Sequence, residues 1–152
     1  SEVSIRFMVN LALGGMLGLL VLGIPSFGYG WIAFFLVAAL GFTVNFMLNM
    51  MLALCAFWVE ETRGLEFVYH KLLFTIGGML MPLELFPKIL QKISTWLPFQ
   101  AILYFPAKTA VRFEANVLLW MVGVQLIWVF VLGVLVTFIY SRGVRKLNVN
   151  GG

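Results

Sequence analysis

From Ala115 to Tyr140 the chain runs 26 residues without one charged side chain. A helix of that length covers about 39 Å, more than the roughly 30 Å of bilayer hydrocarbon. No other feature narrows the choice of fold as much. The composition then decides what surrounds the helix. The chain is 62% hydrophobic and 11% charged, whereas soluble domains carry about 25% charged residues. Too few polar side chains are available to cover a surface, so lipid is the solvent. The expected fold is an all-α polytopic membrane protein, with residues 1–152 as a single membrane domain.

Four spans are expected, over residues 7–24, 31–59, 67–81 and 115–140. In the first, Asn10, Gly14 and Gly18 share a face on which a neighbouring helix can approach closely. PSFGYG, residues 25–30, reads as an uncharged turn. In the second span Gly41, Asn45 and Asn49 fall on one face at i, i+4, i+8. Amides at membrane depth are costly when they face lipid. That face should therefore meet a neighbouring helix through hydrogen bonds, or line a polar path together with Gln125. Residues 60–71, EETRGLEFVYHK, read as a solvated loop with a short helix.

Residues 82–114 form a broken segment before the last span. Gly77 and Gly78 precede it, and prolines at 82, 87, 98 and 106 interrupt it. Each proline lacks a backbone donor and disfavours helix at the residue before it. Pro87 is placed to open a new helix, KILQKISTWL. There Ile89, Leu90, Ile93, Trp96 and Leu97 fall opposite Lys88, Gln91, Lys92, Ser94 and Thr95, the pattern of a helix lying in the membrane interface. Pro106 is expected to stop the apolar stretch from Gln100 to Phe105. The whole segment reads as re-entrant, and Gly77, Gly78, Pro82, Glu84, Phe86, Pro87, Pro98, Phe99 and Pro106 are its candidate gate residues.

Four spans put both chain ends on one side. That side holds six basic residues, Arg6, Arg63, Lys71, Arg142, Arg145 and Lys146, against four on the other, Lys88, Lys92, Lys108 and Arg112. The positive-inside rule then makes both ends cytoplasmic and the broken segment external. The net charge of +4 is spread over loops and helix ends, so nucleic acid is not an expected partner. Catalytic, cofactor and metal sites are not expected. Cys55 is the single cysteine and His70 the single histidine, too few for a zinc site. No Gly-x-x-x-x-Gly-Lys-Ser/Thr run is present to hold a nucleotide. Glu60, Glu61, Arg63, Phe67 and His70 faintly resemble a glutamate-dependent intramembrane protease, but Leu65 and Lys71 stand where that pattern needs Arg and His.

Gly77-Gly78, Pro82-Leu83, Phe86-Pro87, Leu97-Pro98-Phe99, Pro106 and the closing Asn150-Gly151-Gly152 together resemble the permease subunits of type-2 ABC export systems. Those permeases have six spans, cytoplasmic ends and a re-entrant pair of outer helices between spans five and six. The four spans here would match spans three to six, making the chain the C-terminal portion of such a fold. The resemblance implies a permease of an ATP-driven exporter in the plasma (inner) membrane of a prokaryote. It implies pairing with a second permease, as homodimer or heterodimer, in contact with membrane lipid. A separate ABC ATPase subunit would bind the ATP and Mg. The alternative is a membrane scaffold or assembly subunit, which shares the spans and needs no polar path.

Overall fold

The computed structural model describes residues 29–78 and 85–150, and six positions before them, Ile5, Val9, Ala12, Leu13, Met16 and Leu20. Those six are helical and exposed. Most of the expected first span, and Pro82 and Glu84, lie outside the described residues.

Every regular element among the described residues is helical. Helix α1 spans Tyr29–Leu54 and ends in a 3-10 turn, Cys55–Phe57. Helix α2 spans Arg63–Ile76, α3 Lys88–Trp96, α4 Pro98–Ile102, α5 Tyr104–Val111 and α6 Ala115–Asn150. Two helical stretches are long and apolar enough to cross a bilayer, Gly30–Phe57 and Ala115–Arg145. Only 28% and 17% of their most apolar windows are buried, so neither is the core helix of a soluble domain. On α1, Ala33, Val37, Val44 and Leu48 point inward, while Ile32, Phe35, Phe42 and Phe46 are 58–71% exposed. Such a large apolar outer face is stable only against lipid.

The two long helices run side by side in the same direction. Phe113, just before α6, packs on Gly30 at the start of α1. Halfway along, Gln125 reaches the Val37 carbonyl. At the far end the Phe57 ring fills the space beside Gly143. The chain leaving α1 at Phe57 must therefore climb back to Phe113 before α6 begins. Helix α2 makes the first part of that return. Its 14 residues cover about 21 Å. It begins at Arg63, four residues ahead of the expected span, because the short helix expected within residues 60–71 is continuous with it, and it ends at Ile76, five residues short of the expected end. Gly77 caps it, and Gly78 takes φ 87°, a left-handed conformation that glycine adopts at least cost.

Helices α3, α4 and α5 complete the return. The prolines act here in two ways. Pro87 and Pro98 stand at helix starts, Pro87 as the N-cap of α3 and Pro98 as the first residue of α4. Pro106 does not stop the helix, contrary to expectation. It is the third residue of α5, where its missing N–H has no intrahelical acceptor to lose. The break falls at Leu103 instead. The expected end of the last span at Tyr140 is also overrun, since α6 continues to Asn150.

Two apolar clusters hold the bundle. One joins Val37 of α1, Ala101 of α4, Phe105 of α5, and Met121 and Val124 of α6. The other joins Val44 and Leu48 of α1, Tyr69 of α2 and Leu132 of α6. Both include residues of the returning segment, so that segment is part of the packed interior.

Candidate functional site

The centre of the bundle is α4, a five-residue helix in which Pro98, Gln100 and Ala101 are buried. It touches each of α1, α2, α3, α5 and α6. Gly41 makes this possible. A Cβ at Gly41 would lie 2.8 Å from the Ala101 carbonyl oxygen and 3.2 Å from that of Ile102. The absent side chain lets two backbones meet. Gly41 is eleven residues from Gly30, or about 16 Å along the helix. The returning chain thus dips about half-way down α1, as a plug between α1 and α6, before it turns back.

Gln125 ties the plug down. Its Nε2 donates to the carbonyls of Val37 at 2.9 Å and Ala101 at 2.8 Å, joining α6, α1 and α4 through one fully buried side chain. Trp128 Nε1 donates to the Trp96 carbonyl at 2.7 Å and fixes the end of α3. Rings of Trp120 meet Trp96 and Phe105 at 6.5 and 5.4 Å. Phe99 stacks on Tyr69 of α2 at 6.2 Å.

The seat is not fully satisfied. Among the described residues, Gln125 Oε1 and both polar atoms of Gln100 are buried without a hydrogen-bond partner. A buried unpartnered polar group costs about 1–3 kcal/mol, so the seated plug carries a built-in penalty. Gln100 sits directly after Leu97-Pro98-Phe99, a polar residue inside the apolar run that the prolines delimit. That placement is the signal by which sequence reasoning could have singled it out.

The expected polar residues separate into two places. Gln125 belongs to the plug seat. Asn45 lies one turn below Gly41, where its Oδ1 accepts from the Tyr69 hydroxyl at 2.5 Å and from Asn49 Nδ2 at 3.2 Å. Asn49 also donates to the Asn45 carbonyl at 2.8 Å and is exposed. The face of Gly41, Asn45 and Asn49 thus meets α4, then α2, then the surroundings. Tyr69, which sequence reasoning passed over, links α1 to α2.

Among the gate candidates, Pro98 is buried and Phe99 and Pro106 are half-buried within the plug. Phe86 and Pro87 stand at its entrance, where the Phe86 carbonyl accepts from Gln91 Nε2 at 2.8 Å. Gly77 and Gly78 end α2 beside Leu103. Helix α3 turns Ser94 inward and leaves Ile89, Leu90, Ile93 and Trp96 47–75% exposed. Its apolar side faces away from the protein, as an interfacial helix requires.

His70 Nδ1 donates to the Glu66 carbonyl at 2.7 Å on an exposed face. Among the described residues no three His, Cys, Asp or Glu side chains gather as a metal site.

A family model described as ABC-2 family transporter protein matches residues 2–151. No curated protein and no solved structure matches the chain.

Proposed function

Because the chain belongs to the ABC-2 transporter family, a family of membrane components that work with an ABC ATPase, we propose that it is a permease of an ATP-driven exporter whose outer gate is the plug α3–α5. The seating of α4 against Gly41 and Gln125 carries this reading. The plug fills the space between two parallel membrane helices through one close backbone approach and one side chain's hydrogen bonds. Bent backbone at membrane depth is tolerable only where protein or water satisfies it. Movement of α4 away from Gln125 would open a polar route past Gln100, Gln125 and, nearer the cytoplasmic side, Asn45 and Asn49.

In this reading the expected spans over residues 67–81, of which α2 supplies the described part as far as Ile76, and over residues 7–24 complete the four. Four spans then put both chain ends in the cytoplasm of a prokaryotic plasma membrane, with Arg142 and Arg145 at the cytoplasmic end of α6. A second permease, the same or different, completes the path. The separate ATPase binds ATP and Mg, and its closure rocks the helices and shifts the gate equilibrium. Gly77 and Gly78 supply the hinge at the end of α2.

Native purification tests this. The protein is expected to bring down an ABC ATPase whose activity rises with transported substrate. Recovery without any ATPase would overturn the reading. The scaffold alternative draws on one observation, the Asn45–Tyr69 bond, which serves packing equally well. The double change Asn45→Leu, Asn49→Leu separates the two. A permease is expected to lose at least tenfold in substrate-stimulated ATPase activity while its abundance holds. A scaffold would keep its function.

A further inference from the structure

Two grooves meet at the Arg142 end of α6. The larger, about 730 Å³, runs along one face of α6, past Phe130, Gly133 and Thr137 to Arg142 and Arg145, and every described residue lining it is on that helix. The second, about 310 Å³, lies between Cys55 and Trp58 on one side and Phe138, Ile139 and Arg142 on the other. Phe138 and Arg142 line both. The Arg142 guanidinium stands over the Phe138 ring at 5.1 Å. Neither Arg142 nor Arg145 has a carboxylate partner among the described residues, where Arg112 and Glu114 make an ion pair at 2.9 Å.

We propose that this end of α6 binds one anionic phospholipid, with its phosphate on Arg142 and Arg145 and its two acyl chains in the grooves on either side of Phe138. The shape and the charge agree. The grooves are apolar along their length and cationic where they converge. That is the order of groups along a diacyl lipid entering from the membrane–water interface. Guanidinium groups bind phosphate oxygens in a bidentate manner, and Trp58 is a side chain of the interfacial type. Gly133, Thr137 and Ser141 follow at four-residue spacing along α6, and a Cβ at Gly133 would meet no atom of the described residues within 4 Å, leaving room for a chain against the helix. A second copy of the protein fits less well. A two-fold contact across this face would set Arg142 beside its own copy, with like charges together. The proposal rests on the chain being embedded in a bilayer, and it does not depend on the export reading.

Native mass spectrometry of the full protein, purified without ATP or ATPase and stripped of lipid, tests it. Phosphatidylglycerol is expected to bind as one retained adduct, and phosphatidylcholine of the same chains at least tenfold more weakly. Each basic residue near an anionic headgroup changes affinity roughly fivefold. The double change Arg142→Gln, Arg145→Gln is therefore expected to lower phosphatidylglycerol occupancy by about tenfold or more, and Arg142→Lys, Arg145→Lys to lower it less, since lysine keeps the charge and loses the bidentate fork. Excess inorganic phosphate is expected not to compete, and single-chain lysophosphatidylglycerol to bind more weakly than the diacyl lipid. Equal binding of the two headgroups would overturn the proposal, even should the glutamine variant fail to fold. So would phosphatidylglycerol occupancy untouched by the double glutamine change. A dimer fraction that falls with that change while lipid occupancy stays constant would assign the face to a second copy instead. Because no ATPase is present, failure to find an ATPase partner leaves this result standing.

Discussion

Gly41→Val is expected to unseat α4 and abolish coupled transport. The two carbonyl oxygens facing Gly41, at 2.8 and 3.2 Å from a Cβ, belong to backbone and cannot rotate away. Carbon atoms pack at about 3.5–4.0 Å, so α1 and α4 must part by a good fraction of an ångström. Overpacking of this kind costs about 1–3 kcal/mol. The separation also stretches both Gln125 hydrogen bonds, because their acceptors lie on the two elements being forced apart. The variant should melt several degrees lower in detergent, and ATP hydrolysis by its partner should no longer respond to substrate. Gly123 serves as the control, since a Cβ there would meet no atom of the described residues within 4 Å, and Gly123→Ala should behave as wild type. Equal behaviour of the two variants would mean that the close approach at Gly41 does not hold the plug.

Gln100→Leu is expected to do the reverse, stabilising the protein while slowing it. Both polar atoms of Gln100 are buried without partners in the seated plug. Leucine has similar bulk and no polar group, so the change should relieve about 2 kcal/mol. Applied to the closed state alone, that lowers the open population by more than tenfold. A higher melting temperature and a turnover reduced about tenfold should therefore appear together. Gln125→Leu should shift stability the other way, by about 1–3 kcal/mol, because it removes two made hydrogen bonds and leaves their acceptors behind. Two buried glutamines on facing elements are thus predicted to respond with opposite signs. A destabilising Gln100→Leu would contradict the assignment of an unmet amide to the closed gate.

The long helices were legible because their signal is cumulative, with dozens of apolar residues and no charge. The breaking of the segment before the last helix was legible in outline, since four prolines within 25 positions forbid one continuous helix. The functions of those prolines were less so. A proline either ends a helix or begins one, and Pro106 is tolerated only because Leu103 had already restarted the turn. Gly41 appeared in sequence as one member of a small and polar face. That it admits the backbone of residues 101 and 102, some sixty positions away, depends on a long-range approach that no local pattern encodes. Gln125 was expected at a polar path and is found bracing the plug. A lone glutamine in an apolar helix reads the same in either role until the carbonyls above it are known. Tyr69 was hidden in a charged stretch, where a half-apolar side chain carries no periodic signal.

The claim on which the gate rests is that the chain leaves the cytoplasm with α2, folds back from the outer side as α3–α5, and returns with α6. Cysteine accessibility in intact cells tests it most directly, in a background where Cys55 is replaced by serine. A membrane-impermeant maleimide is expected to label Lys92→Cys from outside and to reach Arg63→Cys only after the cells are opened. Labelling of Arg63→Cys in intact cells, with Lys92→Cys protected until lysis, would contradict the account.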